Sequence, residues 1–423
     1  MKVPLTSSIA GLNESATLAI NIRAREIRAQ GGSVCHFGFG QSPFPVPLSI
    51  QNALRDHAAV KDYLPTLGLP ELREAVARFY QQEMNSPFSA EHVCIGPGSK
   101  ELIFQALFLL EAAVLIPAPS WVSYGPQAQL LGKPVYTLPT RREHHYRLQA
   151  DVLEQICQQL DDTPKLLIIN SPNNPTGAVY GEDDLSALAE VCRKFGIIVL
   201  SDEIYAMIDF TGQSHQSMAH AYPEGTIVTG GLSKSFAAGG YRLGVMLIPD
   251  PLRALTKALQ TVASETFSTV SAPVQYAALE AYGHFDTVRS FINQTVEIHR
   301  SVAEYVHTRF IGMGLNCPEP QGAFYMMPDF QNYRASLAKK GITSDEALCH
   351  ALLGEAHIAL LPGSSFYLGP EALSARVAFV DYDGSDVLAR WPGKDALTAE
   401  NMADLFPHIT TGCDRLEQYF SLL

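Results

Sequence analysis

The sequence predicts an α/β protein with a largely parallel sheet and a second, smaller α+β domain. Short apolar runs end in Pro, Gly or Asp, and amphipathic helical patterns separate these runs. Such runs are typical of strands buried on both faces, and strand–helix alternation is typical of parallel sheets. A change of pattern after about residue 290 predicts the smaller domain. The predicted strands of the sheet are 93–95, 114–116, 166–169, 197–200, 227–229 and 245–248.

Two helices between these strands have clear sequence boundaries. Pro70 begins a pattern in which apolar residues recur at helical spacing, and Glu71 lies in its first turn. Asp183 and Asp184 are predicted to open a second helix, which ends at Gly196 because glycine tolerates the left-handed conformation of a helix C-terminus. Helices in these positions suit the crossover connections that parallel strands require.

The C-terminal region mixes helices with short strands. Long helical periodicity covers 296–310, and a further helix is predicted over 344–355. Short strands are predicted near 358–361 and 377–380. The segment 381–406 contains Gly, Pro and several charges, which predicts a surface excursion.

Composition and charge narrow the class of protein. The 423 residues include 30 Lys and Arg against 43 Asp and Glu, and the net charge of −13 argues against a nucleic-acid partner. The 7 cysteines include no C-x-x-C pair, which favours a reduced compartment over a zinc ribbon or a disulfide framework. No signal-peptide pattern is visible, and no apolar run reaches the roughly 18 residues that span a bilayer. We therefore expect a cytoplasmic protein with no membrane partner and no metal.

Polar segments follow two of the predicted strands. The segment 171–177 (SPNNPTG) follows one, and the segment 201–205 (SDEIY) follows another. Ligands of α/β proteins bind at the carboxyl ends of strands, so both segments are candidate binding elements. The alternatives are a simple Pro/Gly turn for the first and a helix N-cap role for Asp202 in the second. A half-buried Asp202 would need a cationic partner.

Three cations occupy unusual positions. Lys234 lies in a Gly- and Ala-rich stretch after a strand, where desolvation would lower its pKa and make the amine a nucleophile. Arg242 follows Lys234 by eight residues. Arg376 lies among strand-forming residues and offers a planar fork for a carboxylate. The alternatives are a solvated loop lysine and a structural salt bridge.

The ordered combination of these segments resembles the fold-type I pyridoxal-phosphate enzymes of the class I and II aminotransferase family. It is most similar to bacterial aspartate-aminotransferase-like members, over about residues 10–380. The shared order is Asn174 with its Pro-Thr-Gly, Asp202 with Tyr205, Lys234 after a serine, and Arg242. Further matching motifs are 12–17 (LNESAT), 62–76 (DYLPTLGLPELREAV), 98–100 (GSK), 121–124 (WVSY), 322–325 (GAFY) and 361–363 (LPG).

The resemblance implies a particular architecture and assembly. A large cofactor-binding domain, residues 46–295, would contain a mostly parallel seven-stranded sheet between helices. A small domain would be built from residues 1–45 and 296–423. The family forms homodimers with shared active sites and acts in amino acid metabolism, including biosynthetic processes. Tyr63 matches a family tyrosine that reaches the neighbouring subunit's phosphate, and Pro119 and Pro175 match positions where the family has cis prolines.

The resemblance also implies how pyridoxal phosphate would be held. Lys234 would bind it through a Schiff base, and the freed amine would then move a proton to and from the substrate Cα. Asp202 would pair with the ring nitrogen and keep it protonated. Trp121 would stack on the ring, while Tyr205 and Asn174 would hydrogen-bond the ring's 3-oxygen.

Two further groups would bind anions. The residues implied to bind the cofactor phosphate are Ser99, Lys100, Ser233 and Arg242, helped by the N–H groups of a helix N-terminus. Arg376 would bind the substrate α-carboxylate bidentately, with Asn174 and the Gly40 backbone assisting and Trp121 alongside. Bidentate binding of the carboxylate would determine which bond at Cα lies perpendicular to the ring.

Three segments depart from the family pattern, and they leave the substrate open. The loop 40–44 (GQSPF) has no acid where the family usually shows Gly-Glu-Pro-Asp-Phe. The turn 110–113 is short, and the segment 381–406 is longer than in similar members. The implied activity is an aminotransferase that passes an amino group from an L-amino acid to a 2-oxo acid.

Other functions remain as alternatives. A carbon–sulfur lyase or an aminocyclopropane-carboxylate-synthase-like enzyme would share most of these motifs. A cofactor-binding effector domain of a transcription regulator would need a DNA-binding domain, which the charge does not favour. A nicotinamide-dependent dehydrogenase is disfavoured because Glu101 replaces the third glycine of the dinucleotide fingerprint that would begin at Gly96.

Overall fold

The computed structural model describes residues 16–29, 31–160 and 162–423, together with residues 3, 6 and 9. In chain order, the strands are β1 (Cys35–His36), β2 (Val93–Gly96), β3 (Ala113–Ala118), β4 (Val135–Pro139), β5 (Lys165–Asn170), β6 (Ile198–Asp202), β7 (Thr226–Gly231), β8 (Gly244–Leu247), β9 (Tyr325–Met326), β10 (Ile358–Ala359), β11 (Leu361–Pro362) and β12 (Ala375–Ala378).

The helices connect and cover these strands. They are α1 (Ala16–Ala29), α2 (Leu48–Asp56), α3 (Pro70–Glu83), α4 (Ser99–Leu109), α5 (Tyr124–Leu130), α6 (Ala150–Gln159), α7 (Glu182–Phe195), α8 (Met218–Ala221), α9 (Arg253–Glu265), α10 (Ala272–Gly283), α11 (Asp286–Gly312), α12 (Arg334–Lys339), α13 (Asp345–Glu355), α14 (Gly384–Arg390), α15 (Ala399–Leu405) and α16 (Pro407–Ser421). Within the described ranges, no helix combines the length and apolar character of a membrane span.

The central sheet has seven strands in the order β2-β8-β7-β6-β5-β3-β4. Strand β8 is antiparallel to its neighbours β2 and β7, and the other pairs are parallel. The mostly parallel seven-stranded sheet is therefore confirmed. Its register pairs Asn170 with Asp202, and Asp202 with Thr229, so the ends of β5, β6 and β7 lie side by side.

Each strand predicted for this sheet is present, with ends shifted by one or two residues. The edge strand β4 was not predicted. Its Tyr136 is 39% exposed and Thr137 is also exposed. An edge strand of this kind lacks the continuous apolar run that identifies strands buried on both faces.

Of two predicted helix starts, one differs by a single residue and the other was wrong. Helix α7 begins at Glu182 with Gly181 as its N-cap, so Asp183 and Asp184 lie inside the first turn; Gly196 ends it with φ of 62°, as predicted. Helix α11 begins at Asp286, well before the predicted 296. Its first half packs on the core next to the central sheet, and this tertiary contact is not visible in local periodicity.

The segment 381–406, predicted to be a surface excursion, lies mostly at the surface, but it is helical and anchored in a core. The segment contains α14 and α15, and Val387, Met402, Leu405 and Phe406 from this segment are buried in a hydrophobic core. These apolar residues are separated by charges, so their common inward face is apparent only after the helices have formed.

The C-terminal region has its own core and receives a strand from the N-terminal region. Strand β1 pairs in parallel with β10, while β11, β12 and β9 form a separate antiparallel sheet. Helix α11 joins the two cores, because its Ile292 packs beside the central sheet and its Ile298 packs in the C-terminal core. Residues 12–15 of the motif at 12–17 lie outside the described residues. The peptide bonds before Pro119 and Pro175 are cis, as is the bond before Pro172.

Candidate active site

A cavity of about 580 Å³ lies where the ends of the central strands meet the C-terminal region. Eleven of the twelve residues predicted for the site line this cavity: Gly40, Ser99, Lys100, Trp121, Asn174, Asp202, Tyr205, Ser233, Lys234, Arg242 and Arg376. Tyr63 is absent from the lining and is 89% exposed. The fold thus brings together polar residues that are far apart in the chain.

Lys234 follows strand β7 and is held inside the cavity. Its Nζ donates to the Gly40 carbonyl oxygen at 2.8 Å. Burial, together with the nearby positive charge of Arg376, lowers the pKa of the Lys234 amine to about 7, while Asp202 acts in the opposite direction. A large fraction of this amine is therefore neutral and nucleophilic near neutral pH.

This lowered pKa predicts how the rate of cofactor capture depends on pH. The protonated amine cannot attack an aldehyde, so the rate constant should rise about tenfold per pH unit below a pH near the amine's pKa of about 7 and level off above it. An ordinary lysine, with a pKa of about 10.4, would extend the rise by roughly three further pH units. Stopped-flow absorbance of the apoprotein mixed with pyridoxal phosphate would measure this profile. A rise that continues without a plateau would show that Lys234 is not desolvated.

Asp202 ends strand β6 and is 3% exposed. Tyr124 Oη donates to Asp202 Oδ2 at 2.7 Å, and the Ile204 N–H and the Thr229 hydroxyl donate weakly to Oδ1, each at 3.4 Å. Burial raises the Asp202 pKa to about 6, against the lowering effect of these hydrogen bonds. No Lys, Arg or His of the described ranges forms an ion pair with it, so the carboxylate suits a cationic group brought by a ligand.

The segment after strand β5 is an ordered turn. The Asn170 amide donates to the Asp202 carbonyl oxygen at 2.8 Å, and Asn170 Oδ1 accepts from the Asn174 N–H at 2.7 Å. Asn173 Oδ1 accepts from the Thr176 hydroxyl at 2.9 Å. These bonds hold the Asn174 side chain toward the cavity, which goes beyond the role of a simple Pro/Gly turn.

Arg376 lies on strand β12 and is buried. Its Nη1 donates to Asn174 Oδ1 at 3.1 Å and its Nη2 donates to the Gly38 carbonyl oxygen at 2.7 Å. Its Nε has no hydrogen-bond partner among the described residues. The guanidinium carbon lies 4.7 Å from the Tyr325 ring centre and 5.0 Å from that of Phe366, and burial lowers its pKa. A buried arginine without a protein carboxylate is suited to bind the carboxylate of a ligand.

Replacing Arg376 with lysine should weaken binding of the amino acid. Lysine keeps the charge but loses the planar two-pronged contact, so KM for the donor should rise by about 10- to 150-fold, the range for hydrogen bonds to charged groups. The value of kcat should change less. Steady-state kinetics test this, with the exposed Arg300→Lys variant as the control. An unchanged KM in Arg376→Lys would assign the carboxylate to another cation.

Two tyrosine hydroxyls meet beside Gly40. Tyr205 Oη and Tyr325 Oη are 2.8 Å apart, and Tyr325 Oη donates to the Gly40 carbonyl oxygen at 3.3 Å. A Cβ at Gly40 would lie 2.1 Å from Tyr325 Oη, so only glycine allows this approach. The hydroxyl of Tyr205 therefore reaches the cavity with Tyr325 as its protein partner.

An anion cradle lies at the start of helix α4. Gly98 precedes the helix with φ of 96°, and a Cβ there would lie 2.5 Å from Arg242 Nη2. Ser99 provides the first N–H of the helix. Lys100 Nζ lies 4.9 Å from the Trp121 ring centre, and its pKa is lowered by burial and by Arg242. Helix N–H groups and two cations form a suitable site for a phosphate.

Tyr124 and Tyr325 lie within the motifs 121–124 and 322–325, but the sequence indicates no function for them and no distinct position for Asn170. Their partners are distant in the chain, so only their motif positions gave a signal. The cavity combines a lysine of lowered pKa, an acid and an arginine that form no ion pair with any described residue, and an anion cradle. This set fits pyridoxal phosphate with an amino acid substrate. In the part of the chain that the structure describes, no group of His, Cys, Asp and Glu could hold a metal ion.

Comparisons with known proteins agree with this fit. The family "Aminotransferase class I and II" matches residues 33–390. Aspartate aminotransferase of Geobacillus stearothermophilus is 34% identical over 377 residues, which are 86% of this chain and 91% of the relative. A probable aspartate/prephenate aminotransferase of Aquifex aeolicus is 33% identical over 379 residues, with 86% and 92% coverage. The crystal structure of Thermus thermophilus aspartate aminotransferase with maleate superposes with a TM-score of 0.84 at 26% identity, over 99% of this chain and 100% of the other.

Proposed function

The chain belongs to the class I and II aminotransferases and is a pyridoxal-phosphate-dependent transaminase of the aspartate-aminotransferase-like type, and on this premise we propose the roles of its site residues, its amino donor and its assembly. We propose that Lys234 is the residue that binds the cofactor covalently. The observation that carries this assignment is the amine of Lys234, which is buried in the cavity, is hydrogen-bonded and has a lowered pKa. When bound, pyridoxal phosphate supplies an electron sink that stabilises negative charge at the substrate Cα.

The proposed roles follow from where each side chain lies. The Lys234 amine accepts the proton that leaves the substrate Cα and holds it for return, which requires an amine of lowered pKa. Asp202 binds the cationic N–H of the ring, and Trp121 covers the ring face. Tyr205 and Asn174 donate hydrogen bonds to the ring oxygen. Ser99, Lys100, Ser233 and Arg242 bind the phosphate.

Arg376 orients the substrate by binding its α-carboxylate, with Asn174 and the Gly40 backbone beside it. Fixing the carboxylate fixes the rotation about Cα, and therefore which bond is broken. We propose L-aspartate as the amino donor and a 2-oxo acid as the acceptor, on the basis of the relatives' named activities.

We further propose a homodimer in which Tyr63 reaches the partner's phosphate site. Its 89% exposure supports this role, because a tyrosine so exposed in one chain is available to a second. Sedimentation velocity should give twice the mass of 46.1 kDa. The Tyr63→Phe variant should keep this mass and bind pyridoxal phosphate about 5- to 10-fold more weakly, as expected for one hydrogen bond. A monomer, or unchanged cofactor affinity, would contradict the shared site.

The proposed domains are 46–295 and the pair 1–45 with 296–423. The boundary is supported by α11, whose side chains change from one hydrophobic core to the other between Ile292 and Ile298. We also propose that the enzyme acts in the cytoplasm, since its buried cysteines are free thiols. Its proposed role in a biosynthetic branch of amino acid metabolism rests on the family resemblance.

A panel of amino acids tests the proposed function. Single L-amino acids are added to the cofactor-loaded protein, and the visible absorbance of the lysine-bound cofactor is followed. L-Aspartate should abolish this absorbance, and a 2-oxo acid should restore it. Release of ammonia with pyruvate, or of a cyclised product, would instead identify a lyase or a cyclopropane-forming enzyme and would contradict the proposal.

A further inference from the structure

Tyr367 occupies an unusual backbone position next to the active site. It follows a short 3-10 turn, 363–366, with φ of 72°, in the left-handed region that bulky side chains rarely adopt. Such a conformation persists only where surrounding contacts enforce it, so its contacts indicate what the residue does. Burial also raises the pKa of the Tyr367 hydroxyl to about 12, which keeps the proton available for donation.

The hydroxyl of Tyr367 bonds the backbone at both ends of the segment 121–125. It accepts from the Gly125 N–H at 2.7 Å and donates to the Trp121 carbonyl oxygen at 3.2 Å. The neighbouring backbone adds a third link, since the Ser120 N–H donates to the Phe366 carbonyl oxygen at 3.2 Å. The segment 121–125 is thus attached to the turn at 363–367.

The segment 121–125 carries two residues that face the cofactor site. Trp121 lines the cavity, and Tyr124 makes the 2.7 Å bond to Asp202. The hydroxyl of Tyr367 therefore bonds the backbone of Trp121 itself and of Gly125, the residue after Tyr124. Tyr367 does not line the cavity.

The turn at 363–367 is attached on its other side to the residue that binds the substrate carboxylate. Strand β11, which precedes it, pairs Leu361 with Arg376 in β12. The Gly363 N–H donates to the Ser374 carbonyl oxygen at 2.8 Å, and the Phe366 ring lies 5.0 Å from the Arg376 guanidinium. Two adjacent residues, Phe366 and Tyr367, therefore contact Arg376 and the segment 121–125, respectively.

We propose that Tyr367 is a positioning residue, whose hydroxyl holds the segment 121–125 in register with the strand that carries Arg376. This inference rests on the proposed roles of Arg376, Trp121 and Asp202. Proton transfer requires the substrate Cα to be aligned with the cofactor ring. Arg376 would fix the position of Cα, and Trp121 and Asp202 would fix the ring. Tyr367 connects the two sets through the protein, so it maintains their alignment.

Two variants test the proposal by different routes. Tyr367→Phe removes the hydroxyl and keeps the ring. Gly125→Ala keeps the hydroxyl, but its Cβ would lie 2.8 Å from Tyr367 Cε1 and would displace the tyrosine. Tyr333→Phe is the matched control, because its hydroxyl also donates to a backbone carbonyl, that of Met313, at 2.7 Å and away from the cavity.

Five quantities are measured on each cofactor-loaded protein: the visible circular dichroism of the bound cofactor, its dissociation constant, kcat and KM of the half-reaction, and the thermal stability. Both test variants should alter the circular dichroism and lower kcat by about 10- to 100-fold, as expected for a misalignment below 1 Å. KM should change less, and Tyr333→Phe should match the wild type throughout.

The outcomes distinguish a failure of the positioning role of Tyr367 from a failure of the proposed function. A Tyr367→Phe protein with wild-type circular dichroism and kcat would overturn the positioning role and leave the proposed function standing. Loss of thermal stability with unchanged dichroism and kcat would also overturn it, since this would be a purely structural role. If the wild type and Tyr333→Phe also fail to transfer an amino group, the proposed function itself is wrong.

Discussion

Replacing Lys234 with alanine should abolish transamination and the visible absorbance of the lysine-bound cofactor. The variant loses both the covalent attachment and the cavity amine whose pKa is lowered to about 7. Loss of positioned acid–base catalysis costs about 10²- to 10⁴-fold, and the lost covalent attachment adds to this, so turnover should fall by about 10⁴-fold or more. Single-turnover absorbance with L-aspartate, and spectra of the cofactor-loaded variant, measure the two effects separately.

The control for this variant is Lys133→Ala. Lys133 has a well-covered side chain whose Nζ donates to the Leu110 carbonyl oxygen, outside the cavity. The Lys133→Ala variant should retain the wild-type spectrum and rate. Small primary amines added to Lys234→Ala should restore part of the rate, because they replace the missing base. A Lys234→Ala protein with full activity would mean that another amine binds the cofactor.

Replacing Asp202 with asparagine should slow proton transfer by about 10²- to 10⁴-fold, the range for positioned proton-transfer groups. Asparagine retains the shape and can still accept from Tyr124, but it cannot hold a cationic ring N–H by charge. Its effect should appear in kcat of the half-reaction, with weaker cofactor binding in addition. Rapid-mixing absorbance with L-aspartate measures the rate, and titration of the apoprotein measures the affinity.

The adjacent Glu203 provides a matched control. It is equally buried, but its carboxylate binds Ser201, Ser217 and His215 on the side away from the cavity. Glu203→Gln removes one negative charge next to Asp202, and we expect it to lower thermal stability while changing the proton-transfer rate by less than about threefold. Equal rate losses in the two variants would mean that general charge near β6, and not the specific contact of Asp202, sustains the reaction.

Much of the active site could be predicted from the sequence because its chemistry follows strand ends. Asn174, Asp202 and Lys234 each come directly after an apolar run, and parallel strands bring such positions to one edge of the sheet. Arg376 could be predicted as a carboxylate-binding residue from its position among strand-forming residues. The order of these motifs also resembles one family, and this resemblance implied the residues around Ser99. These predictions depend on local sequence, and the structure places all of them in one cavity.

The supporting residues could not be predicted in the same way. Tyr124, Tyr325 and Tyr367 act through hydroxyl contacts with residues far away in the chain, and no spacing rule gives the partner of a buried hydroxyl. Helix boundaries were missed for a similar reason. Helix α11 extends back to Asp286 because its first turns pack against a core formed by distant strands.

The segment 381–406 shows where composition misleads. Its charges and its Gly and Pro residues predict a surface excursion, and most of the segment is at the surface, but Val387, Met402 and Phe406 are buried in the C-terminal core. A few apolar residues at helical spacing are sufficient to anchor short helices once a core is present to receive them.

The most direct test of whether Lys234 binds the cofactor is to trap the cofactor on its lysine. The cofactor-loaded protein is reduced with borohydride and its peptides are mapped by mass spectrometry, with and without prior exposure to L-aspartate. We expect a phosphopyridoxyl group on Lys234, its absence after aspartate, and its return when a 2-oxo acid is added before reduction. A label on another lysine, or a label on Lys234 that aspartate leaves unchanged, would contradict the account.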